Sequence, residues 1–219
     1  MAILDAYATA TNYRVQTGEK TTGTDTVLDA QLLTISRLLE RSLHVQPGAF
    51  NTHTGTYTFD GRGGKVLDLR DRAGLTYFLT SVTANSLGID SECDGTFDGY
   101  LWDLSDAWVR GLPENAAAHS EPFSRIEILS HISTAELTVW PVQPAAIRIA
   151  GTWGWGAVPG GIMQLTVSMV HDLRQAQLSG ALMETPPTLD GGGFPMRDES
   201  WRLWREIKSR YGRAGSLPI

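Results

Sequence analysis

Apolar residues recur at helical spacing in three separate parts of the chain. Over residues 25–43 and 159–180 they fall three or four positions apart, so each segment predicts a helix with one apolar stripe. A shorter stripe follows at residues 198–212, and a weaker helix is expected at residues 2–15, where polar residues interrupt the pattern. The residues that define the first two stripes are Leu28, Leu32, Ile35, Leu39, Ile162, Leu165, Met169, Val170 and Leu173.

Between the first two of these helices, β-prone residues occur in short runs separated by turn-forming residues. Residues 57–59 and 65–69 flank a glycine-rich stretch, residues 60–64, and this arrangement predicts a β-hairpin. Ile147 and Ile149 alternate with less apolar neighbours, which is typical of a half-buried strand. Further strands are predicted at residues 75–83, 100–108, 125–129 and 136–140.

The order helices, strands, helices favours an α+β fold, in which a β-rich insertion projects from a small helical core. We expect N-terminal core helices in residues 1–50 and the insertion in residues 51–143. A strand, a turn and a helix over residues 144–183 are expected to complete the core. Residues 184–219 are expected to form a flexible, proline- and glycine-rich linker followed by a C-terminal helix.

Composition and charge argue against several classes of protein, including nucleic-acid-binding, disulfide-bonded and membrane proteins. The chain has 219 residues, a net charge of −6 and an isoelectric point of about 5.3, which argues against broad binding of nucleic acid. A single cysteine, Cys93, excludes an intramolecular disulfide and fits synthesis in a reducing cytoplasm. We find no signal peptide and no apolar run of membrane-spanning length, so we expect no membrane association.

Motifs for catalysis or cofactor binding are also lacking. Residues 90–98 place acidic side chains at the first, third, fifth and ninth positions of a calcium-type loop, but Leu101 stands where a bidentate carboxylate is needed. A polar turn between strands is therefore the favoured interpretation. The five histidines show no metal-ligand spacing, and no nucleophile elbow or phosphate loop occurs. We expect no catalytic residue, no cofactor and no metal site, hence no enzyme.

Residues 148–159, RIAGTWGWGAVP, carry the most specific pattern in the chain. A strand leads into Trp153, Gly154 and Trp155, and Pro159 then opens an apolar helix, as proline can because the first helical turn needs no amide hydrogen there. This corner resembles the head–tail connector proteins of tailed bacteriophages, also called head-completion or head-to-tail adaptor proteins. In that family a strand ends in a Gly-Trp turn, and a Val-Pro pair opens the helix.

The resemblance implies a structural virion protein, made in the host cytoplasm and located in the neck at the head–tail interface. It implies a homo-oligomeric ring, expected to be dodecameric, that binds the portal protein and further neck or tail-completion proteins. DNA would pass through the ring without sequence-specific binding, and the acidic charge fits such a channel because it repels the DNA backbone. The corner residues Trp153, Gly154, Trp155 and Pro159 would have a structural role.

The C-terminal helix is the expected docking element for the portal. Its apolar side combines tryptophans with basic residues behind the predicted linker, which is typical of a segment that binds a partner; a solvated helix face is the simpler interpretation. We expect loss of residues 198–219 to leave the body folded and to abolish portal attachment. The docking candidates are Trp201, Trp204, Arg205, Ile207, Lys208 and Tyr211.

Two other functions remain open at this point. Seven tryptophans suggest a carbohydrate-binding or other β-rich recognition module, because flat aromatic rings stack on sugar faces. A hydrolase that uses the acidic cluster at residues 90–98 would need a partner base, which the sequence does not provide.

Overall fold

The computed structural model describes residues 5–20, 25–90, 92, 94–97, 99–102, 109–114, 116, 120–129, 138–180, 189 and 194–212. Over these residues the fold is α+β, as predicted, with four α-helices and two antiparallel sheets. The chain divides into two compact units, Asn51–Ala157 and the combination of Met1–Phe50 with Val158–Ile219. We call them the sheet unit and the helical unit. Among the described residues, no helix combines the length and the hydropathy that crossing a lipid bilayer requires.

The helical unit contains α1 (Ala10–Thr17), α2 (Asp25–Leu43), α3 (Gly160–Leu178) and α4 (Asp198–Tyr211). The predicted bounds of the last three agree with the structure to within about two residues. The first helix starts later than expected, because the side chain of Thr9 accepts the backbone N–H of Asn12 and the Asn12 side chain accepts that of Thr9. This capping box fixes the start of α1.

The sheet unit contains seven strands: β1 (His53–Arg62), β2 (Val66–Asp68), β3 (Leu79–Ile89), β4 (Gly99–Trp102), β5 (Val109–Leu112), β6 (Arg125–Ile128) and β7 (Val142–Trp153). One sheet has the order β1-β7-β3-β4, and the other has the order β2-β6-β5. Side chains from both sheets share one core, which includes Phe59, Leu67, Ile126, Ile149 and Trp153. The core lies within this unit alone.

The predicted hairpin at residues 57–69 is wrong. β1 pairs along its length with β7, whereas β2 pairs with β6 in the other sheet. The glycine-rich segment therefore connects two sheets instead of reversing the chain within one. Local turn chemistry could not reveal this, because both pairings join residues that lie far apart in the sequence.

The central strand β7 has the alternation that the sequence predicts. Ile147, Ile149 and Trp153 are buried in the core, and Arg148 points to the exposed face. β7 belongs to the sheet unit and α3 to the helical unit, so the boundary lies between Ala157 and Val158. The expected core segment 144–183 is thus divided between the two units, because β7 finds its hydrogen-bond partners in β1 and β3.

Two other expectations lie partly outside the described residues. Of the strand predicted at residues 136–140, only residues 138–140 are described, and they form a bend instead of a strand. Most of the predicted linker is not described either. Its described apolar residues, Leu189 and Phe194, are both buried.

Candidate functional site

A cleft in the helical unit lies along one side of α3. It has a volume of about 730 Å³ and is lined by residues of α1, α3 and the first turn of α4. Its lining includes apolar side chains such as Met163 and Val167. It also includes charged groups, together with amides and hydroxyls such as those of Gln164 and Ser168. A cleft of this composition suits a segment of another protein, since both polar backbone and apolar side chains find contacts there.

Asp172 of α3 forms one wall of the cleft and holds the start of α4. Its carboxylate is almost completely buried and accepts hydrogen bonds from the Arg197 backbone N–H at 3.0 Å and from the Ser200 hydroxyl at 2.6 Å. It also accepts Nε–H of Arg197 at 2.6 Å. No side chain of α4 caps this helix, and the carboxylate from α3 accepts the N–H of the N-cap residue Arg197, as the N3 carboxylate does in a capping box. Asp172 therefore fixes where α4 begins.

Tyr13 of α1 is buried and contacts His171, which lines the cleft. The Tyr13 hydroxyl lies 3.3 Å from Nδ1 of His171, and the guanidinium of Arg174 lies 5.5 Å from the Tyr13 ring centroid. Arg174 also donates to Glu19 at 3.1 Å. Burial raises the pKa of the Tyr13 hydroxyl, and the neighbouring Arg174 charge opposes that shift. These contacts join α1 to α3.

A buried polar cluster ties the N-terminal segment to α2. Glu40 is nearly inaccessible and accepts hydrogen bonds from the Tyr7 hydroxyl, from Arg37 and, at 2.6 Å, from the Gly48 backbone N–H. Ser36 accepts the backbone N–H of Tyr7 at 2.9 Å. Burial, followed by the Glu40 charge, raises the pKa of Tyr7 well above its ordinary value. The cluster is satisfied within the protein, so its role is structural.

The docking stripe predicted on α4 is not exposed, which corrects the sequence expectation. Trp204 and Ile207 are each 3% exposed and Tyr211 is 7% exposed. The ring of Tyr211 meets that of Phe50 edge to face, with centroids 5.3 Å apart. Because α4 completes the core of the helical unit, loss of residues 198–219 would destabilise that unit instead of leaving it intact.

The solvent face of α4 carries both charges, with Asp198, Glu199 and Glu206 exposed beside the cations. Of the docking candidates, Arg205 and Lys208 are exposed and Trp201 is half-buried, and Arg202 adds a further exposed cation. The Lys208 ammonium lies 5.7 Å from the Trp204 ring centroid, which is within cation–π distance. The surface that α4 offers to a partner is therefore charged, with arginines at positions 202 and 205.

The corner residues lie where a structural role requires them. Trp153 is completely buried and donates its indole N–H to the Gly55 carbonyl at 3.0 Å. Gly154 has a φ of +86°, a conformation that glycine adopts without strain. Trp155 is half-buried, with its ring 6.3 Å from that of Phe78. Pro159 stands at the N-cap position of α3, directly before the first helical residue.

In the described part of the acidic loop at residues 90–98, the buried carboxylate of Asp90 orders the backbone. Asp90 is 5% exposed and accepts the N–H groups of Asp94 at 3.2 Å and Gly95 at 2.9 Å. Asp94 in turn accepts the N–H of Thr96 at 2.7 Å. Within the described residues, no group of three or more His, Cys, Asp or Glu side chains is placed to hold a metal ion. The geometry agrees with a polar turn.

The tryptophans do not form a sugar platform in the part of the chain where their side chains are described. Trp140, Trp153 and Trp204 are buried, and Trp155 and Trp201 are half-buried in different units. The indole N–H of Trp140 is satisfied by the Lys65 carbonyl at 3.0 Å. Burial in two separate units gives Trp140, Trp153 and Trp204 a structural role.

Sequence analysis did not identify Asp172 as the residue that holds α4. A signal was present, because Asp172 lies three residues after Met169 on the buried side of α3, where a carboxylate needs a partner. Leu173, which was placed on the stripe, is only half-buried. The contact between Tyr13 and His171 had no such signal, since it joins residues 158 positions apart.

His171 and Asp172 are adjacent in sequence and both line the cleft, but His171 contacts Tyr13 and Asp172 contacts the start of α4. The sequence matches no protein-family model, and no curated protein matches it significantly.

Proposed function

We propose that this protein is a head-to-tail adaptor of a tailed bacteriophage, which binds the portal and assembles as a ring in the virion neck. The observation that carries the proposal is the corner formed by β7, residues 154–159 and α3. Its sequence resembles that of the connector family, and its buried tryptophan, positive-φ glycine and proline at the N-cap give each element of the pattern a structural role.

The division into units supports the same function. The helical unit is assembled from both ends of the chain, and the sheet unit is inserted between them. A core closed by two distant segments, with a separate β unit, offers independent surfaces for two neighbours in a stack of rings. The net charge of −6 suits a channel wall that DNA passes without being held.

We assign portal attachment to the exposed face of α4, with Arg202 and Arg205 as the main contacts. The apolar side of α4 is used within the helical unit, so the exposed arginines are the part of the docking helix left for a partner. Arginine forms bidentate hydrogen bonds with carboxylates, which favours an acidic surface on the partner.

Co-sedimentation with DNA-filled, tailless capsids tests the proposal. Saturable binding to portal-bearing particles, but not to portal-free shells, is the expected result. The double substitution Arg202→Glu/Arg205→Glu should weaken binding by at least tenfold, whereas Lys20→Glu/Arg41→Glu changes the net charge equally on other exposed positions and should have little effect. Absence of binding to particles that accept other head-completion proteins would refute the adaptor function.

A further inference from the structure

β1 lies at the edge of its sheet. β1 is the terminal strand of its sheet and pairs over ten residues with β7 on one side, and no described strand pairs with its other side. In an antiparallel ladder, alternate residues direct their N–H and C=O groups away from the paired neighbour. β1 therefore presents a row of backbone donors and acceptors that another strand can satisfy.

This edge also lacks the features that usually protect a free strand. Edge strands commonly carry lysine, proline, an inward charge or a bulge, which prevent pairing with a second chain. Between His53 and Phe59, β1 has no proline and no acidic, lysine or arginine residue. Its outward side chains are three exposed threonines, Thr54, Thr56 and Thr58, which favour extended backbone. The register irregularity with β7 lies beyond this stretch, at residues 59–61.

We propose that β1 pairs antiparallel with β1 of a second copy, with Thr56 on the two-fold axis. Opposed residues in an antiparallel pair point to the same face, so Thr54 lies opposite Thr58 of the second copy. On the other face, Gly55 lies opposite Tyr57 of the second copy. Cross-strand threonine pairs are favourable neighbours.

The two-fold register also avoids electrostatic repulsion. The charged residues of β1, Asp60 and Arg62, fall outside the seven-residue window from His53 to Phe59 and do not face themselves. Tyr57 is already oriented along the strand, with its hydroxyl 3.2 Å from Nε2 of His53. The ring therefore covers Gly55 within its own strand, and β1 needs no rearrangement to receive a neighbour.

The contact is isologous and joins copies in pairs. A ring requires a separate, heterologous contact, so the pairing of β1 is independent of the proposed adaptor function. Seven paired residues bury less surface than a standard interface, and we expect dissociation constants in roughly the micromolar range.

Cysteine crosslinking tests the register. In a Cys93→Ser background, oxidation of Thr56→Cys should give a disulfide-linked dimer, because opposed Cβ atoms lie about 5 Å apart. Thr54→Cys and Thr58→Cys should not crosslink when oxidised separately, since each lies about 13 Å from its own copy along the strand. A mixture of the two should crosslink. Self-crosslinking of Thr54→Cys, or none by Thr56→Cys, would overturn the proposal.

Sedimentation equilibrium of the full chain gives a second readout. Thr56→Lys places two ammonium groups at the axis and should raise the dimer dissociation constant at least tenfold, and added salt should reduce the difference. Thr34→Lys on α2 adds the same charge at another exposed threonine and serves as the control. A wild-type protein that stays monomeric at millimolar concentration would refute self-pairing. Capsid binding measured in parallel reports on the adaptor function alone.

Discussion

Replacement of Asp172 by alanine should release the start of α4 from the helical unit. The substitution removes the acceptor for the Arg197 backbone N–H, for the Ser200 hydroxyl and for the Arg197 side chain. Loss of a helix cap costs about 1 kcal/mol. Loss of a charged acceptor for the buried Ser200 hydroxyl costs about 1.5–2 kcal/mol. The Arg197 side chain is 64% exposed, so its ion pair adds only about 0.5 kcal/mol.

The total of about 3 kcal/mol predicts that backbone amides of α4 exchange with solvent roughly 100-fold faster in Asp172→Ala than in the wild type. Hydrogen exchange read by mass spectrometry over residues 198–212 measures this directly. Asp172→Asn keeps one acceptor oxygen and should cost about 1 kcal/mol. Arg197→Ala keeps the hydrogen bond from the backbone N–H of residue 197 to Asp172, so it should destabilise α4 less than Asp172→Asn does. If Arg197→Ala accelerated exchange as much as Asp172→Ala, the ion pair would be the main contribution and the capping argument would fail.

Three further predictions concern the sheet unit. Gly151→Ala should lower the free energy of unfolding by about 3 kcal/mol, measured by chemical denaturation, because a Cβ would lie 2.2 Å from a carbonyl oxygen of β3. Gly156 has open space around it, so Gly156→Ala should leave the stability nearly unchanged. Equal effects of the two substitutions would contradict the steric argument. A hydrogen bond from an arginine side chain and a weaker effect of one from a backbone amide lower the pKa of Asp60. The ionised carboxylate therefore stabilises the fold at pH values above the pKa of Asp in the unfolded chain, which is about 4. The stability difference between wild type and Asp60→Asn should shrink as the pH falls through the folded-state pKa, and a constant difference would exclude this linkage. Burial and, as the second cause, the Asp71 charge raise the pKa of Tyr77 to about 12. Absorbance titration should show a lower tyrosine pKa in Asp71→Asn. An unchanged pKa would contradict Asp71 as the interacting residue.

Local pattern was sufficient for the elements whose stabilising contacts follow one period. Helices α2 and α3 and strand β7 were predicted because their buried residues repeat at 3.6 or 2 positions along a continuous segment. The α+β class followed from the order of these elements. The corner from Trp153 to Pro159 was also readable from sequence, because its glycine and proline restrict the backbone through covalent geometry.

Strand pairing was not determined by local pattern. The segment at residues 60–64 has the composition of a hairpin turn, but β1 pairs with β7 and β2 pairs with β6. The two β-prone runs were correctly predicted as strands and incorrectly paired with each other. The sequence of a strand does not specify which strand it pairs with, because any neighbouring strand can satisfy its backbone hydrogen bonds.

The use of the C-terminal helix was decided in the same way by the tertiary structure. The sequence by itself determined that α4 is amphipathic, with aromatic residues on one side and cations on the other. Only the fold placed Phe50 and Asp172 where they bury that side and cap its first turn. The apolar stripe was therefore predicted correctly but assigned to an external partner. Periodicity reports which face of a helix avoids water, whereas the identity of the surface that covers it depends on residues distant in the chain.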